Sequence, residues 1–270
     1  KMWSNNWRLL LSVLAFHILF VLLVSLPEVI SSSTTGPQFS YDPNTKVGPQ
    51  LWGQLHSNWT KCSDGSSQTP IDIADAYVRV NPALGELQFS YKPAILEAYR
   101  SAHGIKVSVE GDGGSLQVNG KTYNLAQFHW HWPSEHTING KRYALELHLV
   151  HSYHHQLAVV AVLFHYGHRN PLLDMLLPKF RQIGDQNHGL GTIDPSKITF
   201  KSSRYYRYTG SLTTPPCTED VTWTILTKVM EVSRDQVEQI EKIVNHTYVS
   251  NARPIQHLKG RTVFINKPPH

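Results

Sequence analysis

The chain has 270 residues, 40% of them hydrophobic, with 25 Lys and Arg against 20 Asp and Glu and a formal net charge of +5. That length and apolar content are ample for one domain with a large core, and exclude a chain without a core of its own. The modest basicity is spread out rather than run together, so no nucleic-acid partner is expected. The organisation predicted is an N-terminal segment over residues 1–30, a linker over 31–38 and one domain over 39–268.

From Leu9 to Leu26 the chain is almost unbroken apolar sequence without charge, interrupted by His17 and preceded by Lys1 and Arg8. A secretory signal has an apolar core of about 7–15 residues, and a spanning helix needs about 20. The run lies between these lengths. A cleaved signal is the first reading, and a retained signal anchor, associating with the membrane through residues 9–26, is the second. In the second case the basic flank stays cytoplasmic and the domain lies across the membrane. Either way the domain is expected in the secretory pathway, outside the cell or in an organelle lumen, the plastid lumen included.

Residues 31–49 are rich in Ser, Thr, Gly and Pro and read as linker and surface arm, ending at Trp52 as a packing anchor. Sequons at Asn58 and Asn245 suit the same compartment. Two cysteines, Cys62 and Cys217, read as a disulfide in such a compartment, or as two buried thiols. Further along, strands are predicted over 105–109 and 115–118, alternating about the Asp112-Gly113-Gly114 turn. A buried strand is predicted over 157–164, and later strands over 221–226 and 262–265. Helices are predicted over 172–183, with Pro178 as a kink or break, and over 233–244, with Ser233 as cap and Gln236 in the capping-box position. The fold class is therefore mostly β (α+β).

The informative stretch runs from Gln127 to His151 and carries five histidines. Residues two apart on a strand share a face, so Gln127, His129 and His131 point one way, and Glu146 and His148 likewise. Asn139-Gly140 is a two-residue hairpin signal. Carried back from an Ile138–Lys141 pair without slippage, the register sets His131 opposite His148 and His129 on the diagonal, with Pro133 as the point of risk. Three imidazoles with one position left open is the catalytic zinc arrangement. Gln127 and Glu146 are the right types to accept the second ring N–H of a ligand histidine.

QFHWHWPSEH, ELHLVH and SLTTPPCTE with VTW, together with GPQLWG, QTPIDI and NARPIQ, resemble the α-type carbonic anhydrases from about Phe39 to Ile265. The likeness is closest to plant and secreted members. It implies a large twisted, mainly antiparallel sheet with a few peripheral short helices, and a zinc enzyme that interconverts carbon dioxide with bicarbonate and a proton. It implies that Thr213 accepts a hydrogen bond from hydroxide at the metal and donates its own to Glu135. Val150, Val159, Leu212 and Trp223 match the substrate pocket wall, Thr214 a second hydroxyl near the bicarbonate position, and His103 the proton shuttle. Tyr41 and Ser101 help order its water chain. In secreted relatives a bridge joins the segments of Cys62 and Cys217, and would tether the Thr213–Thr214 loop. The chain departs from many animal relatives at the compact Trp132-Pro133-Ser134 segment and at Lys106, a cation at the expected rim. The alternatives are a storage or binding protein of this fold, or a membrane-docked scaffold subunit with weak catalysis.

Overall fold

The structure is a computed structural model describing residues 38–184, 187–198, 204–244 and 249–267. The apolar run at 9–26 and the sequon at Asn245 lie outside the described residues. Among the described residues no helix is long and apolar enough to cross a membrane.

Among the described residues a 13-stranded sheet dominates. Its central order runs Ala94–Ser101, Gly104–Glu110, Lys121–His131, Leu145–Tyr153, Gln156–Tyr166, Val221–Leu226 and Tyr205–Gly210. Neighbours up to Gln156–Tyr166 pair antiparallel, and Gln156–Tyr166 then pairs parallel with Val221–Leu226. The sheet is thus mixed and mainly antiparallel. A parallel neighbour requires a crossover, and the chain between those two strands supplies it with the helix Pro171–Phe180 and two further strands.

The strand Gln156–Tyr166 shows why the sheet has a core on each face. Its apolar run leaves no polar side, as expected of a strand covered twice. Ala158, Val160, Val162 and Phe164 join one cluster with the helices. Val159, Ala161 and Leu163 join a second with Ile71, Tyr208 and Trp223. The second cluster lies on the face that carries the histidines.

The helix Arg234–Ile243 begins as the local signals require, with Ser233 and Gln236 closing a reciprocal capping box. The helix Pro171–Phe180 is capped by Asn170 Oδ1, which accepts from Leu172 and Leu173 N. It stops three residues short of the expected end, and Pro178 is accommodated in its last turn rather than breaking it. Gly104–Glu110 and Gly114–Val118 do not pair with each other. Both lie along Lys121–His131, one after the other, Lys106 to Ser108 against His129 to Gln127 and Ser115 to Val118 against Asn124 to Lys121. The turn between them is a bend within one edge, with Gly111 and Gly114 at φ 74° and 90°.

Candidate metal centre

The hairpin turn forms as read, with Ile138 opposite Lys141. The register does not carry through it. His148 lies opposite His129, and Glu146 opposite His131, two residues from the expected pairing. The cause is the segment between the strands. Asp72–Ile73 pairs in parallel with Thr137–Ile138, drawing the turn into a separate three-stranded sheet. Ser134 N donates to Tyr143 O, and residues 132–144 leave the main ladder. An even slip preserves faces, because side chains alternate with period two. The three histidines therefore still share one face.

Their donor nitrogens lie within 4.8 Å of one another. Each ring is held by its other nitrogen. His129 Nδ1–H donates to Gln127 Oε1 (2.8 Å), His131 Nδ1–H to the carbonyl of Asn251 (2.8 Å), and His148 Nε2–H to Glu146 Oε1 (2.7 Å). These bonds fix the tautomers and leave three lone pairs, on His129 Nε2, His131 Nε2 and His148 Nδ1. His131 Nε2 is buried without a hydrogen-bond partner. A buried polar atom left unpaired costs about 1–3 kcal/mol, so a cation is the natural occupant of this point. Burial, then the neighbouring His131 and His148, hold His129 well below the ordinary histidine range, and burial also lowers His131. Both rings are thereby kept neutral, the form that ligates metal.

Glu146 anchors more than one ring. It accepts from His136 N (2.8 Å) and His136 Nδ1 (2.6 Å) as well as from His148. Burial raises this carboxyl, but His136 and His148 outweigh burial by charge and hydrogen bond and hold it well below the usual range. On the far side of His136, the Tyr208 hydroxyl sits between His136 Nε2 (2.7 Å) and Thr69 Oγ1 (3.0 Å), and Thr69 Oγ1 accepts from Ser211 N (2.9 Å). A continuous polar chain so connects His148 to the base of the Thr213 loop. His136, Glu146 and His148 also cluster tightly enough for a metal, but the Glu146 oxygens already accept from both rings and His136 Nε2 faces the Tyr208 hydroxyl.

Glu135 is fully buried, and its Oε1 accepts from Arg253 N (2.8 Å). The bond from Thr213 that the resemblance implies is not formed, since Glu135 Oε2 has no hydrogen-bond partner. Held through Oε1 by Arg253, the carboxylate turns Oε2 toward His131 Nε2 (3.5 Å) and His148 Nδ1 (4.0 Å). Thr213 itself is buried. Its loop is fastened by Leu212 N to Thr218 O and Cys217 N to Thr214 O (each 2.9 Å) and by the Cys62–Cys217 disulfide.

A cavity of about 250 Å³ opens over His129 and His131. Thr214, His103, Ser101 and Tyr41 line it, with Phe39 from the N-terminal arm. His103 stacks on Phe39, ring centroids 4.0 Å apart, and its Nε2–H donates to Phe39 O at 2.9 Å. Trp52 anchors the arm by its buried indole, which donates to Ser40 O. Val150, Val159 and Trp223 are buried in one row across three strands, and Leu212 packs against their cluster. The Trp223 ring stands 4.8 Å from His148, so this apolar wall flanks the ligands. Asn58 is exposed.

Asn251 and Arg253 were not assigned a task from the sequence. Asn251 gives His131 its carbonyl, accepts from Trp132 N (2.7 Å), and donates to the carbonyls of His103 (3.0 Å) and Trp130 (3.1 Å). Arg253 reaches Gln68, Thr69 and Cys62. Their only sequence signal was the NARPIQ segment, which shows no periodicity or ligand spacing of its own.

Residues 47–267 match the model of the eukaryotic-type carbonic anhydrases. Alpha carbonic anhydrase 7 of Arabidopsis thaliana is 39% identical over 264 residues, covering 93% of this chain and 96% of that protein. Dioscorin DB3L of Dioscorea polystachya is 40% identical, covering 93% and 94%. The solved α-carbonic anhydrase of Thermovibrio ammonificans, in complex with the inhibitor sulfanilamide, superposes with a TM-score of 0.78 at 37% identity, covering 85% of this chain and 99% of that one. On its motifs, its fold and these likenesses, the chain is an enzyme of the eukaryotic-type carbonic anhydrase family.

Proposed function

We propose that the chain binds one zinc ion through His129 Nε2, His131 Nε2 and His148 Nδ1, and uses it to hydrate carbon dioxide reversibly to bicarbonate and a proton. The observation that carries this reading is the convergence of three imidazole nitrogens whose opposite nitrogens are already committed to acceptors. An all-nitrogen set of three suits zinc with a fourth position open. Zinc so held lowers the pKa of a coordinated water to about 7, carbonic anhydrase being the reference case for that value.

The protein's own groups then have separable tasks. Gln127, Glu146 and the Asn251 carbonyl hold the three rings in their ligating tautomers. The Thr213 hydroxyl orients the attacking oxygen, and Glu135, fastened through Oε1 by Arg253 N, presents Oε2 on the ligand side, 3.5 Å from His131 Nε2. Val150, Val159, Leu212 and Trp223 give an apolar substrate a dry wall, and Thr214 offers a hydroxyl to the product. His103, which lines the cavity together with His129 and His131, carries the proton outward. The Cys62–Cys217 bridge and the exposed Asn58 sequon support placement in the secretory pathway or an organelle lumen.

The likeness to a dioscorin favours a second reading, a carbonic anhydrase fold used for storage or binding with weak catalysis. One experiment separates the two. Purified protein is assayed for zinc and for carbon dioxide hydration by stopped flow, beside His148→Ala. About one zinc per chain, the count a single three-histidine site allows, with activity lost in the variant, supports the enzyme. Zinc-loaded wild type without hydration supports the storage protein.

A further inference from the structure

Across the sheet one row runs Tyr99, Lys106, His129, His148, each directly opposite the next. Directly opposed side chains share a face and start about 4.5–5.5 Å apart at Cβ. Lys106 therefore rises beside His129, on the face that carries the metal site, and lines the cavity mouth. Among the described residues it is the one lining the cavity with a fixed charge, and no carboxylate among them lines it. Its ammonium rests 5.8 Å from the centroid of the half-exposed Tyr99 ring. Among the described residues it enters no ion pair. Glu97, diagonal to it on the same face, is engaged by Asn187 Nδ2 at 2.8 Å. The mouth thus carries a single uncompensated positive charge on a stem fixed in the middle of a strand.

Resting on the zinc reading above, we propose that Lys106 is the anion-recruiting residue of this cavity, drawing bicarbonate and other small monovalent anions to the His129 side of the site. Carbon dioxide is neutral and indifferent to that charge. Bicarbonate is not, and a cation at a concave mouth raises the local concentration of anions. The overall equilibrium fixes the ratio of kcat/KM in the two directions. Loss of the charge from the bound state must therefore raise KM for bicarbonate and the dehydration kcat together.

The test is calorimetric titration of zinc-loaded wild type, Lys106→Arg, Lys106→Gln and Lys106→Glu with thiocyanate, and with phenol as an uncharged ligand. Lys106→Gln weakens thiocyanate roughly three- to tenfold, the scale for unit charges about 8 Å apart at a solvent-open rim. Lys106→Glu weakens it further, Lys106→Arg retains it, and the differences shrink at high salt, where screening shortens below the Debye length of about 8 Å found at physiological ionic strength. Phenol binding stays level across the set, and KM and kcat for bicarbonate rise in step in Lys106→Gln. Thiocyanate affinity that is unchanged in both Gln and Glu variants overturns the proposal while leaving the metal reading intact. So does equal weakening of thiocyanate and phenol. A wild-type protein that takes up no zinc overturns both.

Discussion

Asn251→Ala tests how the site is held together. Asn251 is 1% exposed, and its side chain makes three bonds, accepting from Trp132 N and donating to His103 O and Trp130 O. These tie the end of the Lys121–His131 strand to the residue proposed to shuttle protons. Each bond contributes about 1 kcal/mol net, and a backbone group left buried without a partner costs about 1–3 kcal/mol. Two of the partners are carbonyls with a second lone pair, so Trp132 N–H is the one donor stranded outright. The loss expected is about 3–5 kcal/mol, measured by urea unfolding of wild type and variant at matched pH, with the slope compared to exclude a change in the unfolded state. Asn251→Asp costs at least as much, because it sets a carboxylate against two carbonyl oxygens. Zinc affinity falls much less than stability, since His131 bonds to the backbone of Asn251 and not to its side chain. A loss below about 1 kcal/mol, the worth of a single net bond, refutes this reading of Asn251.

Three further predictions follow from other parts of the site. Glu146→Ala frees the second nitrogen of His148 and lowers zinc affinity about 10–100-fold in chelator competition; a change within threefold of wild type contradicts the role given to Glu146. His151 is fully buried, its Nδ1–H donating to Ala158 O and its Nε2 2.5 Å from the Tyr91 hydroxyl, and burial pushes it down to about 4. Between pH 6.5 and 4 the unfolded chain then binds the extra proton, so stability is full above this window and falls as pH drops through it. Relative to His151→Gln, wild type loses about 3 kcal/mol across that window in pH-dependent unfolding, and parallel curves refute the assignment. The Cys62–Cys217 bridge closes a separation of 155 residues. Cys62→Ser with Cys217→Ser lowers unfolding free energy by at most about 5 kcal/mol on the loop-entropy scale, and unfolding midpoints that coincide contradict it.

What was legible in the sequence was what local chemistry encodes. The capping box at Ser233 and Gln236 is specified within four residues, and the helix starts there. The Asn139-Gly140 turn is equally local and pairs as read. The shared face of the three histidines survived because strand parity survives an even slip. The register itself was not legible. It depends on Asp72–Ile73, some 65 residues upstream, pairing with Thr137–Ile138 and pulling the turn from the main sheet. The length of the helix after Asn170 was misjudged because Pro178 lies in its last turn, where the chain is already leaving the helix. Asn251 stayed silent for a different reason. Its bond to His131 is made by a backbone carbonyl, which every residue has, from 120 positions away. The turn of Glu135 away from Thr213 is likewise set by a backbone N–H, that of Arg253. No residue type announces either contact.

The most direct test of the central claim is anomalous diffraction at the zinc absorption edge from crystals of the purified protein. The account predicts one peak per chain, about 2.0–2.1 Å from His129 Nε2, His131 Nε2 and His148 Nδ1, with solvent as the fourth neighbour. A peak elsewhere, or a fourth protein atom such as a Glu135 oxygen completing the coordination, would contradict it.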